Sequence, residues 1–155
     1  MKDNKKGLTE GFKRMFPGGL KAAVEMLQRL PADTREKILS DIQKKDPRVH
    51  EYLQKNMVTF PDLIYLTSQM IRDLLREVSL EDLGLALRGS DKKLSEHFLQ
   101  NMSQNNQDDI LVILKGKPRS INDVLSAQEK IMAIVLKKID EGKMVISREG
   151  SEKFV

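Results

Sequence analysis

The sequence predicts an all-α fold, and two observations predict it. Apolar residues recur at helical spacing along almost the whole chain. Each such run is opened or closed by a proline, a glycine or a capping residue, with only a brief turn before the next run.

The elements follow in order. "FPGGLKAAVEMLQRL" opens on a Pro-Gly-Gly break and places Leu20, Val24, Leu27 and Leu30 on one helical face, closed by Pro31. In "DTREKILSDIQKKDP" Ile38, Leu39 and Ile42 repeat at helical spacing. Asp46-Pro47 then starts the next helix, with Asp as N-cap and Pro at the first helical position. That helix, "RVHEYLQKNM", is expected to bury Val49, Tyr52 and Leu53. Ile71, Leu74, Leu75 and Val78 form a further stripe, after which Ser79 and Asp82 make a capping-box variant. Gly89 reads as a C-cap glycine, and Leu94, Phe98 and Leu99 give the next face. Ser120 and Asp123 cap the longest helix, whose seam is Ile121, Val124, Leu125, Gln128, Ile131, Met132, Val135 and Ile139. Gly142 ends it, and "KMVIS" is a short extended tail.

Short helices in groups of two or three are how armadillo-type units are built. "HEYLQKNM" at His50 to Met57 echoes "EHFLQNM" at Glu96 to Met102. The expected architecture is therefore armadillo-like helical units in a right-handed superhelix, followed by a C-terminal helical bundle.

Composition bounds the function. Of 155 residues 32% are charged and 39% hydrophobic, a soluble globular balance. No apolar run approaches the ~20 residues of a membrane span, and no apolar stretch follows the basic "MKDNKKGLTEGFKRMF" to make a secretory signal. The absence of cysteine excludes disulfides and thiolate metal sites and fits the cytoplasm. A net charge of +4 with interleaved signs, no Trp and two Tyr leave no nucleic-acid footprint.

Chemistry is sparse. His50 and His97 stand in separate helices with no third ligand near in sequence, so no metal is expected. Adjacent Asp108 and Asp109 diverge by about 100° on a helix and cannot flank one substrate atom; they are expected in a helix's N-terminal turn, complementing its dipole. Gly18-Gly19 lacks the Gly-Lys-Ser/Thr of a phosphate loop and reads as a hinge. No enzyme, cofactor or small-molecule substrate follows.

Two stretches carry a binding reading. Residues 1–17 form a basic amphipathic segment in which Leu8, Phe12, Met15 and Phe16 share a face flanked by Lys5, Lys6, Lys13 and Arg14. That face is expected to pack on the first helical unit, an anionic membrane or a partner being the other reading. Met57, Val58, Thr59 and Phe60 form an apolar cluster at the boundary of two units, where stacking within or between chains would bury it.

"TFPDLIYLTSQMIRDLLREVSLEDLGLALRGS", then "FLQNMSQ", "SAQEKI" and "KMVI", closely resemble the C-terminal domain of the flagellar motor switch protein FliG family. Upstream, "FPGGLKAAVEMLQRLPADTREKILSDIQKKDPRVHEYLQKNM" is similar to the family's Gly-Gly linker and the later part of its middle domain. The resemblance implies a middle-domain-like armadillo unit at 18–58 and a C-terminal-like domain at 59–155, itself an armadillo unit at about 59–103 and a helical bundle at about 104–155. The family's Met-Phe-x-Phe motif falls on Met57 to Phe60, with Val58 in place of the first Phe.

The resemblance also implies a charged ridge facing the stator protein MotA. Its members map onto Arg88, where the family has Lys, and onto Arg119 or Ser120 after the turn. The family's acidic pair falls on Val112 and Ile113, or on Asp108 and Asp109 if a gap is placed before them; Asn105 stands where an Arg is usual. The stator-facing pattern is thus expected to be largely lost, and a MotA contact is not implied. Partners implied are FliG- or FliM-type switch proteins or further copies of the chain. FliF binding is not expected, because the N-terminal domain with which the family binds it is not in this sequence; the family's middle-domain Glu-His-Pro-Gln-Arg patch, which binds FliM, is not in it either. The expected place is the cytoplasm, at the inner face of the membrane by the flagellar basal body. A helical adaptor for another complex, or a competitor of FliG assembly, would use the same scaffold.

Overall fold

The computed structural model describes residues 13, 14 and 16–147, and none of these lies in a β-strand. The helices are α1 (Gly19–Arg29), α2 (Ala32–Lys45), α3 (Pro47–Asn56), a 3-10 helix (Phe60–Tyr65), α4 (Ser68–Leu75), α5 (Leu80–Arg88), α6 (Lys92–Leu99), α7 (Gln104–Leu114) and α8 (Ile121–Asp140). The all-α expectation holds. The chain divides into two compact units between Val58 and Thr59.

In the first unit α3 packs on α2 and on α1. Leu27 and Leu53, both 0% exposed, sit in a core with Leu39, Ile42, Val49 and Met57. Burying each such aliphatic side chain stabilises by about 1.5–3 kcal/mol. Pro47 begins α3 and the Asp46 side chain accepts from the Val49 N–H at 3.4 Å, as the sequence predicts. Tyr52 corrects the expectation, for it is exposed: Val49 and Leu53, four residues apart, already fill the inner stripe of this short helix. Phe16 is buried in the same core, whereas Lys13 and Arg14 are exposed. Lys5, Lys6, Leu8, Phe12 and Met15 lie outside the described residues. The half-buried Gln28 amide accepts from Val58 N–H and donates to Val58 carbonyl, both at 2.9 Å, so one side chain satisfies both backbone groups of the unit's last residue.

In the second unit a series of caps fixes where each helix starts. The side chains of Thr67, Ser79, Asp91, Ser103 and Ser120 accept from the N–H groups of Met70, Asp82, Leu94, Asn106 and Asp123. Each such cap is worth about 0.5–2 kcal/mol. Five successive residues of α5, Leu83 to Leu87, are buried. This run spans more than one turn, so that part of the helix has no solvent face, and α8 and α7 supply most of the cover of α5. The 3-10 helix packs against α6, where His97 Nε2 donates to the Leu66 carbonyl at 2.7 Å.

The seam of α8 is narrower than its periodicity predicts. Val124, Ala127, Ile131, Met132 and Val135 are buried, but Ile121 is 66% and Leu125 40% exposed. Ile121 sits in the first turn, and Leu125 is one residue round from Val124 and so points off the line facing α5. Helix α4 ends at Leu75, leaving Val78 half-buried in the turn beyond it. Gly142, at φ 75°, ends α8 as predicted, and Met144 of the tail is buried.

Candidate functional site

Helix α7 carries the two predicted acids, Asp108 and Asp109. Its N-cap is Ser103, so Asp108 and Asp109 fall in the second turn, and no acid stands in the first. The expected dipole role is therefore corrected: the helix begins earlier than the acids, at a serine whose Oγ takes the Asn106 N–H at 3.2 Å. Ile110 is fully buried and Leu111, Ile113 and Leu114 are half-buried, which sets the inner face. Asn105, Asp108, Asp109 and Val112 lie on the other side and are all exposed, Val112 by 71%. Spacings of three and four residues place them along one outward stripe. Asp108 accepts from Gln104 Nε2 at 3.0 Å.

The inner face meets α5 at its glycine. A methyl group on Gly84 would stand 2.7 Å from Ile113 Cγ2 and 2.9 Å from Ile113 Cβ, so only hydrogen lets the two helices come this close. Ile113, one of the two positions where the resemblance puts an acid, is thus a packing residue, and Val112 beside it is a surface residue.

Arg88, the last residue of α5, turns toward α7. Its Nη1 donates to the carbonyls of Ile113 at 3.2 Å and Lys117 at 2.6 Å, and its Nη2 to that of Gly116 at 3.3 Å. The final carbonyls of a helix lack partners within it and carry partial negative charge. Helix α7 has no basic residue in its own last turn, and Arg88 supplies the cation from another helix. Arg119 instead pairs with Asp123 at 3.5 Å, with both side chains substantially exposed; such pairs contribute about 0–1 kcal/mol. The four predicted ridge charges therefore have unlike settings: two outward acids, one arginine spent on backbone, and one paired at the start of α8.

At the unit boundary Met57 is part of the first unit's core, Phe60 is buried, Val58 is half-buried and Thr59 exposed. Asp62 Oδ2 accepts from the Thr59 N–H at 2.8 Å and from its hydroxyl at 3.0 Å. Gly19 adopts φ 87° at the start of α1, a left-handed turn that follows Gly18.

A shallow basin on the second unit is lined by Asp73, Arg76, Glu77, Lys138 and Lys143. The hydrogen bond from Lys138 holds the Glu77 carboxyl below the usual carboxylate range; desolvation opposes this, and the charges of Lys138, Lys137 and Lys143 assist. A depressed folded pKa means a contribution present above the unfolded carboxylate pKa and lost as pH falls through the folded one. Glu77→Gln is accordingly expected to flatten part of the acid side of the stability profile, seen as a smaller fall in urea midpoint between neutral and acid pH than in the parent. Among the described residues no group of three or more His, Asp or Glu is placed to hold a metal ion.

Two features escaped sequence reasoning. The Gly84 contact had a signal, a lone glycine inside the apolar run "LGLAL". The Arg88 contacts had none, because their acceptors are backbone carbonyls 25 to 29 residues away.

The family model of the FliG C-terminal domain matches residues 40–146. The flagellar motor switch protein FliG of Thermotoga maritima is 32% identical over 143 residues, covering 89% of this chain and 42% of its own length. That of Bacillus subtilis is 31% identical over 139 residues, covering 89% of this chain and 41% of its own. The chain thus spans about two fifths of the length of these relatives. A crystal structure of FliG from H. pylori superposes with a TM-score of 0.70 at 32% identity, over 81% of this chain and 60% of that one. The full-length FliG structure from Aquifex aeolicus gives a TM-score of 0.56 at 32% identity, over 82% of this chain and 40% of that one. With the match running from α2 to the tail beyond α8, the chain belongs to the FliG C-terminal domain family.

Proposed function

We propose that the chain is a structural component of the flagellar motor switch that works by contact with other switch proteins and not by catalysis. The family match over residues 40–146 carries this reading. In it, residues 18–58 are a middle-domain-like armadillo unit, residues 59–103 a second armadillo unit and residues 104–155 the terminal bundle. Met57 to Phe60 join the units, Gly18-Gly19 is the hinge that precedes the first, and the outward stripe of α7 is the contact surface.

The geometry supports a changed contact. Recognition by charge needs charges that a partner can satisfy. On α7 these are Asp108 and Asp109, one turn from the exposed Val112, while Arg88 is occupied by carbonyls and Arg119 by Asp123. The ridge is reduced to its acidic half beside an apolar residue, so partners of FliG or FliM type, or another copy, fit it better than the stator does. The site of action in this reading is the inner face of the cell membrane at the basal body. No helix among the described residues is long and apolar enough to cross a membrane.

Affinity purification of the tagged chain from its own cells is expected to recover a FliG- or FliM-type protein, and a fluorescent fusion to form foci at flagellar bases. The triple change Asp108→Ala, Asp109→Ala and Val112→Ala is expected to cut that recovery at least about tenfold, equivalent to about 1.4 kcal/mol. Recovery of neither switch protein, with diffuse fluorescence, overturns the reading.

A further inference from the structure

We infer that Arg88 is a positioning residue: it caps the C-terminus of α7 from α5 and so sets the pose of the outward stripe. The resemblance alone would make this cation a surface charge for a partner. Three observations turn it inward. Its guanidinium meets three carbonyls, those of Ile113, Gly116 and Lys117, using both terminal nitrogens. Those carbonyls span the end of α7 and the turn after it, where Lys115 N–H returns to Leu111 and Gly116 N–H to Ile113. On the adjoining turn of α5, Gly84 admits Ile113 where a methyl group would stand 2.7 Å from its Cγ2.

The arrangement needs a fork. A guanidinium presents several donors in a fixed plane, so one group can serve acceptors in separate directions; an ammonium is a point charge on a flexible stem. A lysine at this position would keep the favourable charge at the helix end and lose the simultaneous grip. The arginine is therefore an internal tie between α5 and α7. Where α7 points depends on that tie as well as on Gly84.

This inference rests on the stripe of α7 being the contact surface only for its biological meaning; the tie itself is tested without a partner. The chain has no cysteine, so Val112→Cys on α7 and Ser126→Cys on α8, both at exposed positions, accept a pair of nitroxide spin labels. In the full chain with Arg88 intact, the inter-label distance distribution is expected to be narrow. Arg88→Gln is expected to broaden it and to lower hydrogen-exchange protection at Lys115 and Gly116 about tenfold, with unchanged far-UV circular dichroism. Arg88→Lys is expected to lie between the two. It also keeps the test decisive should the glutamine variant fail to fold. An unchanged distribution and unchanged protection in a folded variant overturn the inference. Failure to recover a switch protein would overturn the proposed function and leave this result standing.

Discussion

Phe98→Ala is expected to cost the second unit about 3–5 kcal/mol, the range for truncating a buried aromatic side chain. Phe98 is 0% exposed in α6, one residue after His97, whose ring is held by the Leu66 carbonyl. The residue before the ring is thus tied to its surroundings, which limits collapse into the space left behind. Against the 5–15 kcal/mol that hold a typical domain together, the loss is a large share. For a unit of roughly 100 residues it corresponds to a fall in Tm of at least about 12 °C. Urea denaturation followed by circular dichroism checks it, and a loss under about 1 kcal/mol would mean that the site relaxes freely.

Gly84→Ala tests the α5–α7 contact, and there two effects oppose. Alanine is better than glycine inside a helix by about 1 kcal/mol. The added methyl would stand within 3.0 Å of three atoms of Ile113, one of them its Cβ, which cannot swing aside as a side-chain tip can. Overpacking of this kind costs about 1–3 kcal/mol, so the net expectation is destabilisation by up to about 2 kcal/mol, rising to about 3 kcal/mol for Gly84→Val. Ile113→Ala should relieve the collision: the double variant is expected to be more stable than the sum of the single changes allows, the signature of a direct contact. An alanine variant as stable as the parent would place the packing force elsewhere.

Helix existence and most caps were legible because they rest on local chemistry. Asp46-Pro47, Ser79 and Ser120 each act within three residues, and each stands where reading the chain puts it. Side choice was less legible. Ile121, Leu125 and Tyr52 all keep helical phase with buried neighbours, yet periodicity reports a stripe's centre and not its width, and the width is set by what packs against it. Asp108 and Asp109 stand beyond the first turn of α7 because its N-cap, Ser103, precedes polar residues, where no change in hydropathy marks the entry.

The candidate site was legible as positions and not as roles. Asp108, Asp109 and Val112 share an outward stripe, which spacing along one helix can give. Arg88 could not be read in the same way, since its acceptors belong to no particular side chain type. Any residue at 113, 116 or 117 would offer the same carbonyls, so the sequence there carries no mark of the contact.

The burial of Leu83 to Leu87 in α5 has a consequence for synthesis. A chain leaves the ribosome in order, and α5 emerges before α7 and α8, the helices that cover most of it. Until α7 and α8 follow, the run Leu83 to Leu87 lacks most of its cover, and a nascent segment with exposed apolar surface is prone to association and is a substrate for chaperones. The first unit, whose helices precede the Val58–Thr59 junction, has its own core complete by then. The second unit is the one whose birth depends on α7 and α8.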